Sequence, residues 1–180
     1  YCGIKLEVAI KYHLKAGMQI DKSRLDEIQL ATEKSQALDK AMTHLSAAMK
    51  TKKQICDFLA KKGYTDAVCD YVIERLEYYK LIDDEAYCRA YVNSVKGKGK
   101  RALEVDLIKR GAEKSAISLA LEDAEEDGEE ALRILRKYLR CKENTKENLY
   151  KGYKYLLSKG FSYDTARSAL DGFGGDNEDY

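Results

Sequence analysis

An internal repeat is the sequence feature that most limits how this chain can fold. A five-residue string that starts with leucine reads LAKKG, LIKRG and LLSKG, and its last residues are Gly63, Gly111 and Gly160. These glycines lie 48 and 49 residues apart. One such string is only an apolar helix end closed by a left-handed glycine. Three at a nearly constant period predict a tandem array of similar units.

The residues after each glycine strengthen this prediction. Positions 6, 9, 10 and 13 after the glycine are small or apolar in all three copies, which is the stripe of an amphipathic helix. A second recurring pattern, which lies upstream of the glycines, begins at Ala41, Ala86 and Ala131. Each unit is therefore predicted to run helix, loop, helix, glycine turn, helix. The stripe residues are Cys69, Val72, Ile73 and Leu76, then Ile117, Ala120, Leu121 and Ala124, and finally Ala166, Ala169, Leu170 and Phe173.

The predicted fold is all-α, with three tandem three-helix repeats that form an elongated stack of right-handed helices. No proline interrupts the chain, which favours long helices joined by glycine turns. The predicted helices are 36–49, 51–62 and 66–79 in the first repeat, 84–95, 100–110 and 114–124 in the second, and 129–141, 146–159 and 163–171 in the third. The predicted divisions are a small N-terminal cap at residues 1–35, repeats at 36–82, 83–127 and 128–171, and a flexible acidic tail at 172–180.

Local signals refine the element boundaries. Thr51 with Gln54 three residues later predicts a capping box, and Asp83, Thr145 and Ser162 stand at other predicted helix starts. Within the cap, residues 4–8 alternate like a short strand, and residues 21–32 fit a helix. The chain does not begin with Met, so we expect further residues upstream.

Composition argues against several classes of protein. Five cysteines without a C-x-x-C pair and only two histidines give no zinc pattern, so we expect no metal and free thiols in a reducing cytoplasm. No apolar run approaches the ~18 residues of a membrane span. Gly97 and Gly99 lack the preceding strand and the G-K-[ST] of a phosphate loop. We expect a cytoplasmic monomer that is not an enzyme and has no cofactor.

The basic residues are unevenly distributed, although the net charge is only +1. Bases gather at the start of the second helix in the first two repeats, where they oppose the helix dipole, and this position favours a role in binding a polyanion or an acidic protein groove. A run of seven carboxylates at residues 122–130 is predicted to be a solvated loop between the second and third repeats. We define the basic ridge as Lys50, Lys52, Lys53, Lys96, Lys98, Lys100, Arg101, Lys109, Arg110, Arg136, Lys137 and Arg140.

Several segments resemble a known family. Residues 81–92 read LIDDEAYCRAYV and resemble the L-I-D-D-x-x-[FY]-A-x-x-[FY] hallmark of the bacterial RecX family. Residues 41–63, 99–111 and 155–163 are similar to the patterns of its first, second and third units, so the resemblance covers about residues 37–171. Two positions differ, because Ala48 stands where the family usually has a base and Gln54 where it has an acid.

The resemblance implies a regulator of the RecA recombinase in DNA repair, recombination and the SOS response. Members of this family bind RecA filaments on single-stranded DNA and modulate strand exchange, ATP hydrolysis and co-protease function, and we expect inhibition here. Asp83, Asp84, Tyr87, Gly63, Gly111 and Gly160 are interpreted as structural residues of the family motifs. With the basic ridge as the contact surface, DNA alone should bind only weakly and without sequence preference.

Two alternatives remain open. Helices two and three of each repeat have the size of a helix-turn-helix, which would make this a DNA-binding protein. The third helix of the first repeat argues against this, because its acids at positions 66, 70, 74 and 77 would repel phosphate. The other alternative is a helical-repeat scaffold for another partner.

Overall fold

The computed structural model describes residues 3–175, and every regular element among them is a helix. None of these helices is long and apolar enough to cross a membrane. The helices are α1 (Leu6–Lys11), α2 (Lys22–Ala47), α3 (Lys52–Lys61), α4 (Asp66–Tyr78), α5 (Asp84–Ser94), α6 (Lys100–Lys109), α7 (Lys114–Glu122), α8 (Gly128–Leu139), α9 (Lys146–Ser158) and α10 (Tyr163–Gly175).

The first compact unit ends at Asp83 and contains α1 to α4. The apolar faces of α2, α3 and α4 form its core, as the predicted stripe requires. Its buried members are Ala37, Ala41, Ile55, Leu59, Val68, Cys69, Val72, Leu76 and Ile82.

Two predictions for the N-terminal cap were wrong. Residues 6–11 form a helix, where a strand was predicted from residue 4, because five alternating residues have no partner strand to pair with. Val8 is buried, and the neighbouring Lys5 forms an ion pair with Asp39 of α2. In addition, α2 is one continuous helix of 26 residues that joins two predicted segments, since no glycine or proline interrupts residues 32–36.

The second compact unit begins at Asp84 and holds α5 to α10. It has two buried clusters, one built by α5, α6 and α7 and the other by α8, α9 and α10. The last helix continues to Gly175, four residues past the predicted end, because Phe173 packs against the second of these clusters. The predicted flexible tail therefore starts as helix, and residues 176–180 lie outside the described part of the chain.

The predicted caps are largely as expected. Thr51 and Gln54 form the capping box of α3, so Gln54 performs the task of the acid usual in the family. The side chains of Thr145 and Ser162 accept the backbone N–H of Asn148 and Thr165. At the start of α5, the buried acid is Asp84, whose carboxylate accepts the N–H of Glu113 at 3.2 Å. Asp84 therefore ties the start of α5 to the turn between α6 and α7.

The glycine turns also have the predicted backbone. Gly63, Gly111 and Gly160 have φ values of +88°, +74° and +87°. The residue after each glycine donates its N–H to a leucine carbonyl in the preceding helix, at 3.1 to 3.3 Å. This is the left-handed helix ending that glycine adopts at low cost.

Candidate functional site

The second helix begins with bases in the first two repeats, as predicted. Lys52 and Lys53 are the first two residues of α3, and Lys100 and Arg101 are the first two of α6. The equivalent helix of the third repeat, α9, also begins with a base, Lys146. Sequence reasoning left Lys146 out of the basic ridge, although its place after the predicted cap Thr145 was the available signal.

The first cluster of the basic ridge consists of Lys50, Lys52 and Lys53, and two of these lysines form local ion pairs. The Lys52 ammonium lies 2.5 Å from the Glu77 carboxylate on α4, and Lys53 lies 3.4 Å from Asp57 one turn along α3. Lys50 and Lys52 are half-buried. These pairs reduce the positive field that the first cluster presents to a partner.

Lys98, before the start of α6, and Arg110, at its end, are held by a network of Asp106 and two tyrosines. Lys98 lies 2.5 Å from the Asp106 carboxylate, which also accepts the Tyr91 hydroxyl at 3.1 Å. The Arg110 guanidinium stacks 4.6 Å from the Tyr91 ring centroid and donates to the Tyr87 hydroxyl at 3.1 Å. The hydrogen bond between Lys98 and Asp106 raises the pKa of the lysine and lowers the pKa of the aspartic acid. Lys98 and Arg110 are therefore exposed cations whose positions are fixed before any partner binds.

The backbone at the start of α6 is bound to the third repeat. The N–H of Gly99 donates to the Lys159 carbonyl at 3.0 Å, and the N–H of Arg101 donates to the Gly160 carbonyl at 3.2 Å. Gly99 is buried. The glycine at position 99 is therefore explained by packing against the third repeat. Its backbone N–H is already bonded within the protein and is not available to a phosphate.

Glu126 is a connecting residue that sequence reasoning missed. Its carboxylate accepts the N–H of Lys100 at 3.1 Å, the N–H of Ser162 at 2.9 Å and the Thr165 hydroxyl at 2.6 Å. It thus binds the starts of α6 and α10 together. Partial burial opposes ionisation, but these hydrogen bonds outweigh it and lower the pKa of Glu126.

Five of the seven acids in the run are exposed, as predicted for a solvated loop, but only residues 123–127 lie outside a helix and several of the acids also form specific bonds. Besides Glu126, Asp127 caps α8 by accepting the N–H of Glu130 at 3.0 Å. Asp123 lies 3.3 Å from the Arg89 guanidinium on α5. Seven of the nine residues in this run are acidic. No local sequence pattern therefore distinguishes the acids that form hydrogen bonds or ion pairs from those that form none.

Five bases of the ridge lie near the C-terminal ends of helices. Lys109 and Arg110 close α6, and Arg136, Lys137 and Arg140 lie on the exposed side of the end of α8. Cations favour helix C-termini because of the dipole, so these five have a stabilising role that the bases at helix starts lack.

Comparison with known proteins gives one consistent result. A family model described as "RecX, first three-helix domain" matches residues 37–76. The chain is 30% identical to the regulatory protein RecX of Bacillus licheniformis over 185 residues, which covers 98% of this chain and 70% of that protein. It is 33% identical to the regulatory protein RecX of Bacillus subtilis, over 93% of this chain and 66% of the relative. The chain thus spans about two thirds of the length of these relatives.

Solved structures agree in fold. A crystal structure of regulatory protein RecX matches with a TM-score of 0.81 and 25% identity, over 92% of this chain and 85% of that one. A crystal structure of RecX from Lactobacillus salivarius matches with a TM-score of 0.73 and 24% identity, over 78% of this chain and 96% of that one.

Proposed function

This chain belongs to the RecX family of regulatory proteins, and from this premise we propose that it regulates the RecA recombinase by binding RecA filaments on single-stranded DNA through the basic ridge. It acts as a cytoplasmic monomer, and its effect on strand exchange, ATP hydrolysis and co-protease function is inhibitory. Family membership supports the choice of partner, and the ridge supports the choice of surface.

The observation that carries this proposal is the recurrence of bases at one position of the repeat. The second helices of the first two repeats each begin with two bases, and neither has an acid in its first turn. A helix N-terminus prefers acids, so helix stability does not explain this choice. A surface that repeats along the chain suits a partner that is itself repetitive, such as a filament.

The arrangement of Lys98 and Arg110 also supports a protein as the partner. Lys98 and Arg110 are held against Asp106, Tyr91 and Tyr87 before binding, so little side-chain entropy is lost when a partner engages them. A preorganised cation is suited to a defined carboxylate on a partner, whereas non-specific phosphate binding needs no such arrangement.

A helix-turn-helix reader of DNA is a less suitable function for this geometry. The exposed side of α4 carries Asp66, Asp70 and Glu74, which would face phosphate if this helix entered a groove. Binding of DNA alone is therefore weak and without sequence preference. Catalysis is not proposed, and no set of His, Cys, Asp and Glu side chains among residues 3–175 could hold a metal ion.

The proposal is tested by neutralising bases of the ridge that form no ion pair in the described structure. The variant Lys96→Gln, Lys100→Gln, Lys109→Gln removes three charges, and its effect on RecA's DNA-dependent ATPase is titrated beside the parent. We expect the concentration needed for half-maximal modulation to rise about tenfold or more, because each lost contact to a charged group is worth ~1 kcal/mol.

The matched control removes the same charge elsewhere. Lys22 and Lys114 also begin helices, and Lys61 ends one, but all three lie outside the ridge. The control Lys22→Gln, Lys61→Gln, Lys114→Gln should shift the titration by less than about twofold. Equal losses in the two variants would mean that net charge acts without a defined surface. Co-sedimentation with RecA filaments, with free RecA and bare DNA as controls, would contradict the proposal if the folded parent stayed in the supernatant.

A further inference from the structure

Residues of the acidic run and three bases of the ridge line one cleft of the second unit. This cleft has a volume of about 410 Å³. Its basic residues are Lys96 and Lys98, on the segment that joins α5 to α6, and Lys100, the first residue of α6. Asp123, Glu125 and Asp127, on the segment between α7 and α8, also line the cleft, and we call these three residues the acidic wall. Val92, Leu103 and Phe161 contribute apolar surface to the same cleft.

Bonds made by Glu126 and Asp127, the two residues after Glu125, keep the acidic wall in place. Glu126 is tied to the starts of α6 and α10 by its hydrogen bonds to Lys100, Ser162 and Thr165. Asp127 is held as the cap of α8. Because these contacts satisfy backbone N–H groups at helix starts, the wall cannot move away from the lysines without uncapping a helix.

Fixed charges of both signs make the cleft selective. The same cleft is lined by the lysines and by the wall, so a phosphate that binds the lysines is repelled by the wall, and this repulsion is screened over a Debye length of ~8 Å at physiological salt. A polyanion carries no positive groups with which to compensate this repulsion. A protein segment with acids on one edge and bases on the other satisfies both sides, and an apolar side chain between them can contact the apolar surface.

We infer that this cleft binds a protein segment of mixed charge, and that the acidic wall lowers the affinity of the neighbouring lysines for nucleic-acid phosphates. This inference rests on the proposed function for the location of the partner, and it specifies the chemistry of that partner. The wall determines specificity in two ways. It lowers the affinity of these lysines for the DNA inside a filament, and it raises the affinity of the cleft for the protein around that DNA.

The first test measures binding of the full chain to a labelled single-stranded oligonucleotide. The wall variant Asp123→Asn, Glu125→Gln, Asp127→Asn keeps an N-cap at position 127, because asparagine caps as well as aspartate. We expect its affinity to rise about tenfold at low salt, with a steeper dependence of affinity on salt concentration. Circular dichroism checks that the helices are retained.

The matched control changes net charge equally on the first unit. Asp66→Asn, Asp70→Asn, Glu74→Gln alters three exposed acids of α4, none of which lines the cleft. We expect it to raise affinity for the oligonucleotide less than about twofold. An equal rise in both variants, or none in the wall variant, would overturn the role assigned to the wall.

The second test separates the two kinds of partner. The affinity for RecA filaments already saturated with DNA should fall about three- to tenfold in the wall variant. The reason is that the basic residues of the partner segment no longer find the carboxylates of the acidic wall. A filament affinity that rises together with the DNA affinity would overturn the mixed-charge partner. If the parent binds no filament at all, the proposed function fails, whereas the oligonucleotide measurement still decides whether the wall repels phosphate.

Discussion

Two turns of this protein share one sequence signal and one backbone conformation, yet they have different surroundings. Gly63 and Gly160 have φ values of +88° and +87° and close equivalent helices. A Cβ at Gly63 would meet no heavy atom of the described residues within 4 Å. A Cβ at Gly160 would lie 2.3 Å from the Ala102 nitrogen and 2.6 Å from its Cβ. The first glycine is needed only for its turn, whereas the second also permits close packing between repeats.

The close approach at Gly160 has a partner glycine. A Cβ at Gly99 would lie 2.2 Å from the Gly160 carbonyl oxygen. Two glycines therefore let the backbones of the second and third repeats come close enough for their hydrogen bonds. The comparison teaches that a glycine motif identifies a helix end, but not whether that end packs against another repeat.

The largest predicted effect breaks this comparison directly. Gly160→Ala should destabilise the protein by about 3–5 kcal/mol, because the left-handed strain of ~1–2 kcal/mol is joined by a clash with backbone atoms. Gly63→Ala suffers the same strain without the clash and should cost about 1–2 kcal/mol. Urea unfolding followed by circular dichroism measures both values.

Equal losses in these two variants would show that the turn conformation alone matters and that the packing at Gly160 has no energetic weight. Hydrogen exchange gives the location of the effect, since Gly160→Ala should increase exchange at the start of α6 as well as at the end of α9.

The next effect concerns the carboxylate that reinforces the packed turn. Glu126→Gln should cost about 2 kcal/mol, because an amide cannot accept from Lys100, Ser162 and Thr165 at once. The neighbouring Glu125 is exposed, and Glu125→Gln should change the free energy of unfolding by less than ~0.5 kcal/mol. Thermal unfolding of the two variants at neutral pH compares them, and indistinguishable midpoints would contradict the bridging role.

Acidification should remove the same contribution. The folded-state pKa of Glu126 is lowered from its ordinary value of 4.5, so its carboxylate stabilises the fold fully above that pH. The contribution is then lost as the pH falls through the lower, folded-state pKa. The difference in unfolding free energy between the parent and Glu126→Gln should therefore be constant from pH 7 to about pH 5 and shrink below ~4. A difference that grew on acidification would have the wrong sign.

The smallest predicted effect is at the turn of Gly63, where a side chain has free space. Gly63→Asn should be within ~0.5–1 kcal/mol of the parent, because asparagine tolerates the left-handed region better than alanine and nothing nearby obstructs it. Chemical denaturation ranks Gly63→Asn against Gly63→Ala. An asparagine variant less stable than the alanine variant would indicate an unrecognised contact at this turn.

Elements set by local chemistry were predictable from the sequence. The capping box at Thr51, the glycine turns and the apolar stripes depend on residues within one or two helical turns, and the structure has them at the expected places. The bases at the starts of α3 and α6 were likewise predictable, because the repeat gives their register.

Contacts between distant residues were not predictable in this way. Glu126 reaches residues 36 and 39 positions away, and nothing in its immediate sequence distinguishes it from the other acids. The contact of Gly99 with Gly160 joins two repeats whose packing a single repeat cannot reveal. The helix at residues 6–11 was missed because a short alternating segment fits either a strand or a helix that packs through one residue.

The bridge made by Glu126 also orders events while the chain is being synthesised. The start of α6 includes Lys100, but the hydroxyl that completes its bridge belongs to Thr165, 65 residues later. At about 5–20 residues per second, a ribosome needs roughly 3–13 s to add that stretch. During this interval the Lys96–Arg101 segment is made and charged but not yet fixed, while the first unit is already complete in sequence. The part of the basic ridge at residues 96–101 thus acquires its final form later than the part at residues 50–53, which lies in the first unit.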